Sequence, residues 1–184
     1  MQQSYDVFFA SSNFNKYNEA KKILEIFGIR LGFFKCELEE IQSDSLSQIA
    51  QKKVINAFKQ CKKPVIIEDD GLFITSLNGF PGPYSSYIFK TIGNNGILKL
   101  VKSNRTANFQ SVIAYHDKKK KSILFKANVY GKISRSPKGR GWGYDPIFIP
   151  NGKNETFAEL LDKNIISHRY KALKKFANWF ENKQ

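Results

Sequence analysis

With 184 residues the chain has the length of one domain, and its two cysteines, Cys36 and Cys61, have no metal-like spacing and predict no disulfide framework. No apolar run approaches the ~20 residues of a membrane span, so we expect a cytoplasmic protein with no membrane partner. The formal net charge of +14 at pH 7 is typical of nucleic-acid-binding proteins, but lysines scattered through helical segments favour a solvated surface that attracts polyphosphates.

The first half of the chain predicts alternating strands and helices. In chain order we expect a buried strand over residues 4–10, a helix that ends at Gly28, a strand over 31–36, a helix capped by Ser43 or Asp44, and a short strand over 65–67. Open α/β sheets carry their chemistry at the carboxyl ends of such strands. The residues that follow the first and third strands are therefore candidates for a functional site.

The second half predicts a different arrangement. A stretch dense in turn residues is followed by two short helices that separate at Gly93. Two strand-like runs, 109–116 and 123–130, predict an antiparallel hairpin whose solvated tip is the four lysines 118–121. Ser167 is expected to cap the last helix. The whole pattern predicts an α/β fold with α+β character, built on a mixed sheet.

The loop after the first strand has the features of an anion-binding site. It precedes a helix, so its free N–H groups and the positive helix end attract a phosphate. Lys16 lies in the first helical turn, where the helix dipole disfavours a cation; a bound phosphate would explain it, and a solvated lysine is the alternative. The Walker pattern is absent. The candidate residues are Ser11, Ser12, Asn13, Phe14, Asn15 and Lys16.

Three consecutive acids, Glu68, Asp69 and Asp70, follow the third apolar strand. Adjacent carboxylates repel one another, so a neutralising cation is expected, and oxygen ligands suit Mg²⁺. Glu40 is a remote fourth candidate, and a solvated acidic turn is the alternative. Because successive side chains of a strand point to opposite faces, Asp69 is expected to face a cleft while its neighbours point elsewhere.

Two further segments suggest contacts with a nucleobase. Trp142, flanked by glycines, offers a stacking surface beside the carboxylate of Asp145; a glycine-rich loop in which Trp142 fills the core is the alternative. His168 and Arg169 open the last helix, where cations are electrostatically ill-placed, which indicates an acceptor in front of them. Arg169 has the geometry to donate to a carbonyl oxygen of a base.

Taken together, these segments resemble the inosine triphosphate pyrophosphatase family, the non-canonical purine nucleoside triphosphate pyrophosphatases. The resemblance covers nearly the whole chain, with Asp70 and Trp142 standing where the family more often has a small residue and a phenylalanine. The matching motifs, in order, are Ser11-Ser12-Asn13-Phe14-Asn15-Lys16 followed by Glu19, Glu40-Ile41-Gln42, Glu68-Asp69-Asp70-Gly71-Leu72, Gly79-Phe80-Pro81-Gly82-Pro83-Tyr84-Ser85, Gly141-Trp142-Gly143-Tyr144-Asp145-Pro146, Thr156-Phe157-Ala158-Glu159, and Lys163 before Ser167-His168-Arg169.

The resemblance implies a homodimeric enzyme with an elongated mixed β-sheet flanked by helices, and two lobes with a central active-site cleft. It also implies a reaction, the hydrolysis of ITP, dITP and XTP to the nucleoside monophosphate and pyrophosphate. The implied cofactor is Mg²⁺, or Mn²⁺ in its place.

The resemblance assigns roles to individual residues. Glu40 and Asp69 would hold the metal, and Asp69 would also act as the general base. The other matched residues would bind the substrate. The triphosphate would contact the first loop, Asp70, Lys163 and Lys53, which is preferred to its neighbour Lys52. The purine would contact Trp142, Gly143, Tyr144, Asp145, His168 and Arg169.

Two alternatives stay open. One is a pyrophosphatase for other modified nucleotides. The other is a basic module that binds single-stranded nucleic acid by stacking bases on Trp142 and Tyr144. That module would show a steep salt dependence and would leave the three acids without a purpose. We therefore expect a nucleoside triphosphate, rather than a nucleic acid, as the partner.

Overall fold

The computed structural model describes residues 4–119 and 122–182. Hydrogen-bonded strands within these residues follow the order β2-β1-β3-β5-β6-β7, and β4 pairs with β3. β1 is parallel to β2 and β3, whereas β4 is antiparallel to β3 and β7 to β6, so the expected mixed sheet is confirmed. The strands are β1 (Val7–Ser11), β2 (Leu31–Lys35), β3 (Val65–Ile74), β4 (Pro81–Gly82), β5 (Thr106–His116), β6 (Ile123–Ile133) and β7 (Phe148–Pro150).

Helices occupy most of the connections between these strands. No helix of the described residues has both the length and the apolar character needed to cross a membrane. Single 3₁₀ turns cover Thr75–Leu77 and Asp145–Ile147. The α-helices are α1 (Phe14–Glu25), α2 (Leu46–Cys61), α3 (Ser85–Thr91), α4 (Gly93–Leu100), α5 (Lys163–Ile166) and α6 (His168–Glu181).

The start of α2 differs from the sequence prediction. Ser45 caps this helix, and its hydroxyl accepts a hydrogen bond from the backbone N–H of Gln48 at 3.4 Å. The Ser43 hydroxyl instead accepts from the N–H of Ser45 at 3.1 Å. The prediction that Ser43 or Asp44 is the cap is therefore wrong, because Ser43 stabilises the turn that leads into the cap.

Strand β3 is longer than the sequence suggests. The predicted strand over residues 65–67 continues through the three acids to Ile74, so the interpretation of these acids as a solvated turn is wrong. Beyond the acids, Leu72 pairs with Gly82 of β4 and is fully buried. A Cβ on Gly71 would lie 2.4 Å from the carbonyl oxygen of Gly82, so a glycine is needed for this pairing.

The two long strands of the predicted hairpin, β5 and β6, are neighbours in the sheet. Lys118 and Lys119 lie between them and are exposed. The other two lysines of the predicted tip, 120 and 121, lie outside the described residues.

The chain divides into two compact units, each with its own core. The first unit contains the described residues of Met1–Asp69, Ser111–Ala127 and Arg169–Gln184, and the second contains Asp70–Gln110 and Asn128–His168. Apolar residues recur at helical spacing in α1 and α6 and give each helix a buried stripe in the first core. That core includes Val7, Phe9, Ala20, Ile23, Leu24, Ile66, Ile113, Leu173, Phe176 and Ala177.

The core of the second unit centres on three phenylalanines. The ring of Phe109 lies 4.8 Å from that of Phe148 and 6.0 Å from that of Phe157, measured between centroids. Strand and helix residues complete the core, namely Leu72, Ile74, Ile97, Val101, Val129, Ile133, Tyr144 and Ile147. Two residues that the family resemblance assigns to base binding contact this core: Tyr144 is one of its members, and His168 stacks on Phe109.

Candidate active site

An acidic cluster in the first unit is built around the side chain of Lys53. This lysine projects from α2, and its Nζ donates to Oδ1 of Asp69 at 2.6 Å. It also donates to Oε1 of Glu40, which lies in the segment before α2. Lys53 is buried whereas its neighbour Lys52 is exposed, so the structure brings the preferred lysine of the pair to the two acids.

Asp69 combines deep burial with incomplete hydrogen bonding. Its Oδ2 is buried and has no hydrogen-bond partner among the described residues. Burial raises the pKa of the Asp69 carboxyl, and the nearby charges of Lys53 and Lys16 oppose that rise. A carboxylate whose proton affinity is raised, with one oxygen free to accept, is suited to take a proton from a water molecule.

The residues around Asp69 fit a divalent cation. Glu40 and Asp69 share one ammonium group and supply oxygen ligands, and the unpartnered Oδ2 of Asp69 remains for a further ligand. No group of three or more potential ligand residues occurs in the described part of the chain. Two carboxylates suffice for Mg²⁺, which usually keeps several waters and binds substrate phosphates as well.

A second buried network in the first unit surrounds Glu68. Its Oε1 accepts from the hydroxyl of Ser111 at 2.8 Å, and its Oε2 accepts from Nε of Arg169 at 2.7 Å. Arg169 also donates to Glu19 of α1. The side chains of Glu68 and Arg169 are essentially inaccessible to solvent, so this network ties β3 to α6 within the core.

This network bears on two expectations from the sequence. Glu68 was expected to point away from the cleft that Asp69 faces, and its charge is neutralised by Arg169. The two described contacts of Arg169 go to carboxylates rather than towards an open acceptor. The role of Arg169 as a reader of the purine edge stays a prediction, and its described ion pairs neutralise the buried Glu68 and the partly buried Glu19.

Three backbone N–H groups in and next to the loop before α1 already donate hydrogen bonds to side chains of the loop. Oδ1 of Asn13 accepts from the backbone N–H groups of Asn15 and Lys16, at 3.0 and 3.3 Å. The N–H of Asn13 donates to the hydroxyl of Ser11 at 3.0 Å. These three N–H groups are not free, so a phosphate at this helix end would have to replace the cap. Ser12 is exposed; Phe14 packs on two aromatic rings and is also exposed.

The second unit carries the aromatic loop, residues 141–146. Nζ of Lys163 donates to Oδ2 of Asp145 at 2.6 Å and lies 5.5 Å from the centroid of the Trp142 ring. The hydroxyl of Tyr144 donates to the backbone carbonyl of Ser85 at 2.9 Å, and burial raises the pKa of this tyrosine. The structure therefore groups Lys163 with the predicted base-binding residues.

His168 belongs to the same unit and lies in an aromatic environment. Its ring stacks on Phe109 with an interplanar angle of 8° and a centroid distance of 4.5 Å. Its Nε2 lies 3.9 Å from Oδ2 of Asp70. Nδ1 is buried and has no hydrogen-bond partner among the described residues. The stacking fixes the plane of the imidazole, with Asp70 near one of its nitrogens.

Several residues of these clusters were missed by sequence reasoning. Ser111 and Phe109 lie on β5 and resemble ordinary strand residues in the sequence. Asn94, which donates from Nδ2 to the carbonyl oxygen of Gly143 at 3.1 Å, lies in a helix with no distinctive motif. Glu19, in contrast, was marked by the family resemblance, but without a role or a partner.

The chain is similar to known proteins in both fold and sequence. The fold matches a HAM1 protein from Coxiella burnetii with a TM-score of 0.82 and 29% sequence identity, over 96% of this chain and 98% of that one. The model of the Ham1 family matches residues 7–179. The chain belongs to the Ham1 family.

Relatives are similar over nearly their whole length. The dITP/XTP pyrophosphatase of Methanopyrus kandleri is 49% identical over 181 residues, which cover 96% of each chain. The dITP/XTP pyrophosphatase of Thermococcus kodakarensis is 45% identical over 178 residues, covering 94% of this chain and 96% of the relative.

Proposed function

We propose that this chain hydrolyses the non-canonical purine nucleoside triphosphates ITP, dITP and XTP to the nucleoside monophosphate and pyrophosphate. Its relatives with this activity in their names match it over nearly the full chain. The observation that carries the chemistry is Asp69, a buried carboxylate with one oxygen on Lys53 and the other unpartnered among the described residues. Removal of this nucleotide class from the cellular pool is the biological role that follows.

Asp69 acts as the general base in this proposal. Its raised proton affinity favours removal of a proton from water, which then attacks the α-phosphorus. Lys53 orients the carboxylate, and Lys16 adds positive charge that offsets the charge building on the departing pyrophosphate. Glu40 and Asp69 would hold Mg²⁺, or Mn²⁺ in its place, and the bound cation would neutralise phosphate oxygens.

The aromatic loop and His168 account for base selection. Trp142 provides the stacking face, and the ion pair between Lys163 and Asp145 lies beside it. Hypoxanthine and xanthine present an oxygen acceptor at position 6, where adenine has an amino donor. A buried donor aimed at that position rejects ATP because adenine leaves it unpaired. His168 is the donor of the second unit that the proposal assigns to this edge, whereas Lys163, which the family resemblance assigns to the triphosphate, holds Asp145.

We also infer a homodimer in the cytoplasm. Apolar side chains on and next to α3 are exposed, with 68% of Tyr87 and 42% each of Tyr84 and Ile92 accessible to solvent. A self-complementary contact between two copies would bury such a surface. Cys36 and Cys61 are both free thiols, as expected in a reducing compartment.

A panel of nucleoside triphosphates tests the proposed function. Purified protein with Mg²⁺ should cleave ITP, dITP and XTP with kcat/KM at least about 10²-fold above that for ATP, because the unpaired donor disfavours adenine. Pyrophosphate and orthophosphate are to be measured separately for each nucleotide. Equal cleavage of ATP, or orthophosphate as the primary product, would contradict the proposal.

The same preparation separates the two alternatives. Preferred cleavage of a modified pyrimidine triphosphate would favour the broader pyrophosphatase. Absence of any cleavage, together with single-strand binding that weakens steeply with salt, would favour the nucleic-acid-binding module.

A further inference from the structure

Asn94 contacts the aromatic loop from the first turn of α4. Its Nδ2 donates a hydrogen bond of 3.1 Å to the backbone carbonyl of Gly143, the residue that follows Trp142. Gly143 has a φ of +63°, a left-handed conformation that favours glycine. The amide of Asn94 therefore holds the loop at a glycine with a left-handed backbone conformation.

Only one orientation of this amide fits the contact. A backbone carbonyl can only accept, so the NH₂ group must face Gly143, since a flipped amide would place two oxygens together. The other end of the amide, Oδ1 of Asn94, is buried and has no hydrogen-bond partner among the described residues. The side chain of Asn94 thus forms one hydrogen bond through Nδ2 and leaves its buried Oδ1 without a partner among the described residues.

This combination is not explained by stability. A buried acceptor without a partner costs at least as much free energy as one neutral hydrogen bond contributes in net terms. Gly143 is partly exposed, so its carbonyl could be hydrated if Asn94 were absent. An apolar side chain of similar size would serve the fold at position 94 at least as well as asparagine does.

The two residues that follow Gly143 in the loop have anchors of their own. Tyr144 is held by its bond to the carbonyl of Ser85, and Asp145 is held by Lys163. Asn94 holds the carbonyl of Gly143, the residue next to Trp142 in the chain. The loop is therefore anchored at three consecutive residues, of which Gly143 has the most backbone freedom.

We propose that Asn94 is a positioning residue for substrate binding: by holding Gly143, it sets the plane of Trp142 on which the purine stacks. The inference rests on the proposed function, which assigns Trp142 to the purine. Stacking on a pre-set plane stabilises the bound substrate and the transition state equally. Loss of the contact should therefore raise KM and leave kcat largely unchanged.

Adjacent asparagines provide matched variants. Asn95 is exposed and lies one position further along α4. Asn94→Leu removes the whole amide, and Asn94→Asp keeps its shape but loses the donor. Both should raise KM for ITP about two- to tenfold, the effect of one neutral hydrogen bond. Asn95→Leu and Asn95→Asp, which make the same changes in polarity and charge, should leave KM as in the wild type.

Two readouts separate positioning from a merely structural role. The melting temperature of Asn94→Leu should be no lower than that of Asn95→Leu, since a buried unsatisfied acceptor has been removed. In a Trp179→Phe background, Trp142 is the remaining tryptophan, and its emission maximum without nucleotide should shift in the Asn94 variants only.

The outcomes distinguish this proposal from the one it rests on. Asn94 variants that match the Asn95 variants in KM would overturn the positioning role, as would a KM increase that appears only with a large loss of melting temperature. A wild-type protein that cleaves no ITP would overturn the proposed function instead, whatever the emission of Trp142 shows.

Discussion

Asp69→Asn is expected to lower kcat for ITP by about 10²–10⁴-fold, the usual contribution of a general base. The amide keeps the shape of the carboxylate, and its oxygen can still accept from Lys53, but it cannot take a proton from water. Pyrophosphate release under saturating ITP measures the effect. Asp44→Asn, at an exposed acid of the same unit, is the matched control and should retain wild-type kcat.

The same variant should fold at least as well as the wild type. Because burial raises the pKa of Asp69 in the folded state, the charged form is less favourable in the fold than in the unfolded chain. A neutral isostere removes that cost at neutral pH. The wild-type stability should rise relative to Asp69→Asn as pH falls through the raised pKa. An inactive variant with a much lower melting temperature would instead assign Asp69 a structural role.

Arg169→Met is expected to destabilise the protein by about 3–5 kcal/mol, because it leaves the buried charge of Glu68 without its partner. For a chain of this size, such a loss lowers the melting temperature by about 6–20 °C. Thermal unfolding of the purified variant measures the change. The effect is large because the side chains of Glu68 and Arg169 are essentially fully buried.

An exposed arginine supplies the control. The guanidinium of Arg30 makes two hydrogen bonds to Asp6, but 62% of the arginine side chain is accessible to solvent. Arg30→Met should therefore cost only about 0–1 kcal/mol. Adding Glu68→Gln to Arg169→Met should recover part of the lost stability, since the unpaired charge is then removed. Equal effects of Arg169→Met and Arg30→Met would contradict the structural role of the buried pair.

Helices and strands were predicted from the sequence more accurately than the long-range contacts between their side chains. The spacing of apolar residues located α1, α2 and α6, and the β-branched run at 65–67 located the start of β3. The acids after that run appeared to end the strand, since three consecutive charges are unusual inside a sheet. They continue it because a cation from outside the strand neutralises the two buried acids, as the bonds of Glu68 to Arg169 and of Asp69 to Lys53 show.

Those partners are distant in sequence. Glu68 and Arg169 are 101 residues apart, and Arg169 and Glu19 are 150 residues apart. Position at a helix start indicated that Arg169 needs an acceptor, but a single sequence does not reveal which acid provides it. The family resemblance assigned Glu40 and Asp69 to the metal and Lys53 to the triphosphate, and the structure brings these three together.

The aromatic loop likewise has a local feature that the sequence indicated and distant contacts that it did not. Glycines on both sides of Trp142 indicated an adaptable loop with a stacking surface. Its anchors, Asn94, Ser85 and Lys163, come from three separate helices or their ends, and Asn94 belongs to none of the recognised motifs. Anchoring side chains of this kind depend on tertiary packing and leave no periodic trace in the sequence.

Hydrolysis of ITP in ¹⁸O-labelled water tests the central claim most directly, namely that water activated by Asp69 attacks the α-phosphorus. The proposal predicts ¹⁸O in the phosphate of the nucleoside monophosphate and unlabelled pyrophosphate, since the bond broken links the α-phosphorus to the pyrophosphate oxygen. Label in the pyrophosphate, or release of labelled orthophosphate, would show attack at another phosphorus and would contradict the proposal.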